Sequence, residues 1–489
     1  MQFSFLSIIS ENKSKLKLVN TMDKIIKKLK EEFKNSSDLI VKKINDINIV
    51  FLESLASSDK INDYILKVIA LSNKKGKTDL NSLIVGPNTV KINKYDEIEF
   101  YLTNGFTIVL GKSQALAIET KASINRSVST PDSQPSIYGP KDAFSENIQM
   151  NLGLIKRRIK SDKLVNEDFF IGRKSNTKVS LLYLSDIALE ETVALVKEKL
   201  KKIDIDGIVD SGNINQLITS DVKSAFPTVK TTERPDYVAT NLLEGRIALL
   251  IDTSPFILIL PVFFADYINP QVDSYNKSIN INFLKVLRFV CLIMTLITPA
   301  LYVAIINYNP EAIPLKLLIN FATQRDGVPF PSALEAIFML LICELLRESD
   351  LRFPSSYGSS ISILGALILG ESAVSAGIVS PIMIIVTALT FITSLIFTEQ
   401  EFVNSLRHAR FLFLLSASFF GLYGIVVAGV LFLTHLASIK SFGKPYTYPL
   451  APYDKKFFRK ILFQDKKARE RYRSRMLTNK NFISQGENK

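Results

Sequence analysis

Glu344 and Arg347 stand three residues apart in ICELLRES, a spacing that sets a carboxylate and a guanidinium side by side on one helix face. The pair can neutralise itself or clamp a neighbouring subunit, which makes it the candidate coupling pair; Glu348, four residues after Glu344, shares the face. Glu371, between Gly370 and Ser372, is the single ionisable residue in 361–398. A bare carboxylate at the centre of a bilayer costs roughly 2.5 kcal/mol or more, so it must find a partner or water. Two readings stay open for it: an aqueous path or ion relay, and an interhelical hydrogen bond from a neutral acid. Ser355, Ser359 and Ser362 fall at i, i+4 and i+7, which puts three hydroxyls on one face of a helix. Gly365, Ala366, Gly370, Ala373, Ala376 and Gly377 follow, small residues that let helices approach closely. The segment suits a tight helix interface or a narrow pore lined by hydroxyls and backbone, and in a symmetric oligomer adjacent faces can do both. Ser359, Ser362 and Glu371 are the candidate polar path.

Elsewhere the chemistry is sparse. Gly111-Lys112-Ser113 resembles the end of a phosphate-binding loop, but the motif needs glycine at 106, where Phe106 stands, and FTIVL before it is strand-like. Asp204 and Asp206 would share a strand face, yet nothing nearby supplies a nucleophile or a metal partner, so they read as turn-flanking residues. Cys291 and Cys343 each sit in an apolar run, too few for a disulfide framework or a Cys-rich zinc site. His408 and His435 have no carboxylate or thiol at ligand spacing and read as packing or interfacial residues. The expectation is a protein that is not an enzyme, with no catalytic, metal or cofactor residues.

The elements that position these residues divide the chain in three. The net charge is +13 while the mean hydropathy is +0.19, a combination that a uniform globule does not give. Residues 1–246 carry a net +6, residues 247–453 a net −1, and residues 454–489 a net +8. The organisation expected is an N-terminal subdomain over 1–125, a second α/β subdomain over 126–253, a helical membrane bundle over 254–440 and a basic tail over 441–489.

In the soluble part, INIVF (47–51) and VSLLYL (179–184) read as strands, and INDYILKVIAL (61–71), SENIQMNLGLIKRRI (145–159) and LEETVALVKEKLKKI (189–203) as helices. Lys13 to Lys43 reads as an amphipathic helix, and MQFSFLSIIS lacks the basic start and small-residue cleavage site of a signal peptide. IEFYLTNGFTIVLG (98–111) reads as a β-hairpin turning at Asn104-Gly105. Residues 125–144, rich in Pro, Ser and Gly, read as a linker or long loop.

In the membrane part, 289–306 is free of charge, 361–398 is long enough for two spans joined near Gly377 to Pro381, and 411–439 reads as one last long helix. SALEAIFMLLICELL (332–346) suits a re-entrant or interfacial helix better than a full crossing, and FILILPVFF (256–264) a strand or an interfacial entry piece. Lys285 and Arg288 before the first span and the basic tail after the last put both termini in the cytoplasm. Four spans then place 307–360 and 399–410 on the far side. The tail, with Phe457, Phe458, Ile461 and Leu462 among Lys and Arg, reads as a helix on an anionic membrane surface; positive-inside bias explains its charge better than nucleic acid.

Several ordered blocks together carry a resemblance: SGNINQLI (211–218), FPTVKTTERPDYVATNLLEGRIALLID (226–252), SPFILILP (254–261), GVPFPSALEAIFMLLICELLRESDLRFP (327–354), GALILGESAVSAGIVSP (365–381) and HLASIKSFGKPYTYPLAP (435–452). From about Gly139 to Pro452 the chain closely resembles the A subunit of GerA-type spore germinant receptors; the first 120 or so residues match loosely. The resemblance implies a multi-pass protein of the inner spore membrane with a large cytoplasmic N-terminal region of two α/β subdomains. It implies a transporter-like, nutrient-sensing B subunit and a lipoprotein C subunit as partners, and a homo-oligomeric ring with an ion-conducting pore that opens on nutrient binding. Asn213 stands where the family often carries an aromatic residue, which bears on local packing. The alternative function is a secondary transporter of a small solute or ion, disfavoured because the spans show no inverted repeat and are few for one chain.

Overall fold

The computed structural model describes residues 22–34, 36–44, 47–72, 88–111, 114–122, 131, 134, 139–270, 273, 275–352, 370–463, 472–478 and 480–484. The first ten residues, Lys112-Ser113, most of the 125–144 linker and Ser355, Ser359 and Ser362 lie outside them.

Two five-stranded sheets follow one another. The first has the order β1-β2-β4-β5-β3, from strands Leu39–Ile44, Ile47–Leu52, Thr89–Ile92, Phe106–Leu110 and Ala115–Glu119 numbered along the chain. The second, from Leu164–Ile171, Thr177–Leu184, Lys230–Thr232, Ile247–Ile251 and Ile257–Leu260, has the order β6-β7-β9-β10-β8. The order is the same in both, and every described pairing is antiparallel. The chain therefore carries one topology twice.

Both sheets are covered on two sides, which is why their central strands are continuous apolar runs rather than alternating ones. In the second sheet Ala248, Leu250, Ile257 and Ile259 face helices α4 (Ile148–Lys156) and α7 (Pro235–Leu243). Their neighbours Ile247, Leu249, Ile251, Leu258 and Leu260 face α5 (Glu190–Lys201) and α6 (Ser211–Ile218). In the first sheet Val50 and Leu52 face α1 (Met22–Glu32) and α3 (Tyr95–Thr103), while Ile49 and Phe51 face the helical segment 58–72, α2. FILILPVFF thus supplies β10 of the second sheet, so this unit runs past residue 253, the boundary read from the sequence.

The expected hairpin over 98–111 is corrected to helix, cap and strand. Ile98 and Leu102, four apart, are both fully buried on one face of α3, so the helical period wins over the strand reading. Asn104-Gly105 ends that helix: Gly105 has φ +84° and its amide donates to the Leu102 carbonyl, the left-handed C-terminal cap that glycine supplies most cheaply.

After the short helix α8 (Phe264–Ile268) comes the helical bundle: α9 (Ser278–Tyr308), α10 (Leu315–Arg325), α11 (Ser332–Arg352), α12 (Pro381–Ser394) and α13 (Gln400–Ser438). By length and composition α9 is long and apolar enough to cross a membrane; the 39-residue α13 also reaches that length, but as two helices folded at Gly421. Residues 332–346, expected as a re-entrant or interfacial helix, lie in a helix of 21 residues, about 31 Å at 1.5 Å per residue. It runs from Ser332, whose hydroxyl donates to Asn307 at the far end of α9, toward the soluble units.

The largest departure concerns α13. Gly421 has φ +58° and ψ −139°, outside helical space. Phe413 and Phe432 lie with ring centroids 6.0 Å apart, where a straight helix would hold their Cα atoms about 28 Å apart. Ser405 donates to the Ala225 carbonyl and His435 bonds Ser224, so both ends of α13 meet one loop of the second soluble unit. The 39 residues are an antiparallel hairpin, 400–420 and 422–438, folded at Gly421. Gly424 makes the turn possible: a Cβ there would fall 2.0 Å from the Ser416 carbonyl oxygen. The expected single helix over 411–439 is thereby corrected, as is the far-side placement of 399–410, because Glu399 is ion-paired to the second sheet.

The tail returns to the protein. Asp454 caps α14 (Lys455–Leu462), Lys285 on α9 donates to the Lys460 carbonyl, and Arg473 donates to the Leu243 carbonyl of the second unit.

Candidate functional site

Two polar centres, one at the junction of sheet and bundle and one inside the bundle, are joined by the first half of α13. At the junction Lys230, on the short edge strand β8, is buried and reaches Glu399 at 3.1 Å. Its ammonium also lies 4.8 Å from the Tyr237 ring centre and 5.5 Å from that of Tyr267. Burial alone would push Lys230 down, but Tyr237 and Glu399 outweigh it and hold the ammonium above the ordinary lysine range. Gln134, in the linker, donates to the Glu399 carboxylate at 3.3 Å and to the Thr231 carbonyl at 3.4 Å, and accepts from Thr232 at 2.7 Å.

Beside this pair Phe226 forms an aromatic hinge. Its ring centre is 6.3 Å from Phe402 on the first half of the hairpin and 5.9 Å from Phe432 on the second. Tyr267 stacks on Phe402 at 4.8 Å with 5° between planes. A cavity of about 250 Å³ opens here, lined by Asn215 of α6, Thr219 just after it, Ser224, Phe226, Glu401 and Asn404. Asn213, the unusual residue of SGNINQLI, caps a helix. Its Oδ1 accepts from the amides of Val209 and Asp210 and closes the start of α6.

Two turns further along α13, Glu344 of α11 accepts from Arg410 at 2.7 Å and pairs with Arg407 at 3.0 Å. Arg347, three residues on, is 3.9 Å from Glu344; its guanidinium instead donates to the Ser394 hydroxyl at 2.7 Å and lies 5.1 Å from the Phe391 ring centre, both on α12. The residues expected to form a pair within one helix therefore tie three helices together. The i, i+3 spacing correctly set them on one face, but the stronger partners come from α13. Arg407 and Arg410 escaped notice in the sequence because charges at the rim of an apolar run read as its boundary.

A second buried carboxylate went unmarked. Glu335, 1% exposed, accepts from the Ser380 amide at 2.6 Å and from the Ser380 hydroxyl, at the start of α12. A carboxylate there is stabilised by free amides and the positive end of the helix. Glu371 lies on the helical turn 370–375, exposed in this chain, apart from the Glu344 cluster. Ser359 and Ser362 lie outside the described residues. Asp204 and Asp206 pair on the surface with Arg173 and Lys174, in line with a structural reading. Among the described residues no group of three or more His, Cys, Asp or Glu could hold a metal ion.

The family model described as "Bacillus/Clostridium GerA spore germination protein" matches residues 27–476. Spore germination protein KA of Bacillus subtilis (strain 168) is 35% identical over 458 residues, covering 91% of this chain and 84% of that protein. Spore germination protein GerLA of Bacillus cereus is 32% identical, covering 89% and 92%. The crystal structure of the N-terminal domain of the A subunit of the Bacillus megaterium spore germinant receptor GerK3 is 32% identical, covers 50% of this chain and 97% of that one, and superimposes with a TM-score of 0.38. The family match spans both sheets, the bundle and the junction between them, and by it this chain belongs to the GerA family of spore germination proteins.

Proposed function

We propose that this chain is the signal-transducing and pore-forming subunit of a nutrient germinant receptor, acting early in spore germination by letting ions leave the spore. It works with a transporter-like B subunit that binds nutrient and a lipoprotein C subunit, in a homo-oligomeric ring in the inner spore membrane. The termini and both sheets lie in the cytoplasm, and the hairpin of α13 enters the membrane from that side and returns. The observation that carries this reading is the continuous chain of buried contacts from β8 through Lys230 and Glu399, along α13, to Arg407, Arg410 and Glu344 within the bundle. A shift at a partner subunit can bias this set between two packed arrangements only as far as nutrient prefers one of them.

Ser359, Ser362 and Glu371 form the polar path, and Glu344 with Arg347 the coupling pair. The test is nutrient-dependent ion release from the reconstituted receptor. Glu371→Ala should change conductance or selectivity; identical values would remove that residue from the path. Glu344→Gln should weaken the response to nutrient while leaving the ion selectivity of the residual current unchanged.

A further inference from the structure

Glu344 is outnumbered. The ion pairs of Arg347, Arg407 and Arg410 among the described residues all go to this one carboxylate. Glu348, beside Arg347 on α11, is exposed, and Asp350 stands three residues beyond Arg347; assigning either to Arg347 still leaves Arg407 and Arg410 sharing a single carboxylate. Residues 353–369 contain no acidic residue that could redress the count. The site is shut on most sides, with side-chain exposures of 9% for Arg347, 4% for Arg410 and 13% for Glu344. Nη1 of Arg347 and Nε of Arg410 are buried without a hydrogen-bond partner. Uncompensated guanidinium charge and unmade N–H bonds in such a place are costly, and an anion that accepts them removes both costs. Arg407, with 30% of its side chain exposed, is the way in.

From this we infer that the Arg347–Arg407–Arg410 cluster is an anion site that takes a phosphate group alongside Glu344. Guanidinium forks match phosphate oxygens two at a time. The surroundings favour the phosphate of an acidic phospholipid over a free one. Arg407 is seven residues from the start of α13, about 10 Å along the helix, which from a start held against the soluble sheet brings it to headgroup depth. Leu341 and Leu345 of α11, Ile392 of α12 and Leu395 just after it are exposed around the site, apolar surface that acyl chains can cover. The inference rests on the charge count and does not require the pore reading.

The test is native mass spectrometry of the full-length chain within its receptor complex, titrated with phosphatidylglycerol in mild detergent, beside thermal melts in inorganic phosphate. Wild type should retain phosphatidylglycerol, and Arg407→Gln should lower its affinity about tenfold, the loss expected for one charge-assisted contact. Glu344→Gln, which removes the competing carboxylate, should bind more tightly. Saturable stabilisation by inorganic phosphate without lipid retention, lost in Arg407→Gln, would support the same site with a soluble occupant. If Arg407→Gln does not assemble, Arg407→Lys keeps the charge without the fork and should still weaken binding. An absence of both lipid retention and phosphate stabilisation in wild type overturns the inference, as does lipid retention undiminished in the variant that assembles. Neutralisation by a carboxylate from a second copy would produce that first result.

Discussion

Lys230 and Glu399 form a 3.1 Å ion pair between the edge strand of the second sheet and the residue that leads into the α13 hairpin. Lys230 is 5% exposed, and two tyrosine rings flank its ammonium. Replacing Lys230 with Met strands the Glu399 carboxylate and should cost about 3–5 kcal/mol. The double variant Lys230→Met/Glu399→Leu should recover most of it, since an apolar pair needs no compensation. Chemical denaturation of the solubilised protein measures both.

The same lysine sets a pH window. Because its folded pKa is raised, its stabilisation is fully present below the ordinary lysine value of about 10.4 and is lost only as pH rises through the folded value. Thermal melts of wild type and Lys230→Met between pH 6 and 9 should therefore keep a constant difference. A difference that shrinks across that range contradicts the assignment.

Asp236 gives the opposite sign. Burial would raise its pKa, but bonds from Arg234 at 3.1 and 2.8 Å and from Tyr275 at 2.6 Å hold it below the usual carboxylate range. Its contribution is present above the unfolded value of about 3.9 and is lost as pH falls through the lower folded one. Asp236→Asn should cost about 1–3 kcal/mol at neutral pH and less below pH 3, read from urea titrations at each pH.

Gly421 is the fold point of α13, and a Cβ there would stand 2.8 Å from the Tyr308 ring. Gly421→Ala should cost about 1–3 kcal/mol from positive φ and crowding. Tyr308→Ala in that background should relieve only the crowding. The hairpin itself predicts that His408→Cys and Lys440→Cys, in a background without Cys291 and Cys343, react with an impermeant thiol reagent from the same membrane face. Labelling from opposite faces would refute it.

Glu344 and Arg410 should be energetically coupled across α11 and α13. A double-mutant cycle with Glu344→Gln and Arg410→Gln should return roughly 1–3 kcal/mol. A value near zero would mean that the 2.7 Å contact contributes nothing net.

The sequence by itself determined what depends on local period and composition. The apolar runs at 47–52 and 179–184 became central strands because a sheet covered on both faces needs no polar alternation. LEETVALVKEKLKKI became α5 because Val193, Val196 and Leu200 fall on one helical face. The i, i+3 spacing of Glu344 and Arg347 put both at one place, and the ordered motif blocks pointed to the family.

Tertiary structure alone decided the rest. In an apolar run of a membrane segment every face is hydrophobic, so no period marks where 411–439 must turn. That depends on Gly421 and Gly424 meeting Tyr308 and Ser416, contacts between residues that sequence spacing does not relate. Asn104-Gly105 serves a hairpin or a helix cap equally well, and the buried face of Ile98 and Leu102 chose the cap. The partners of Glu344 and Lys230 come from other elements for the same reason: a buried charge is satisfied by whatever the packing brings within about 3 Å, and only the folded chain fixes which residues those are.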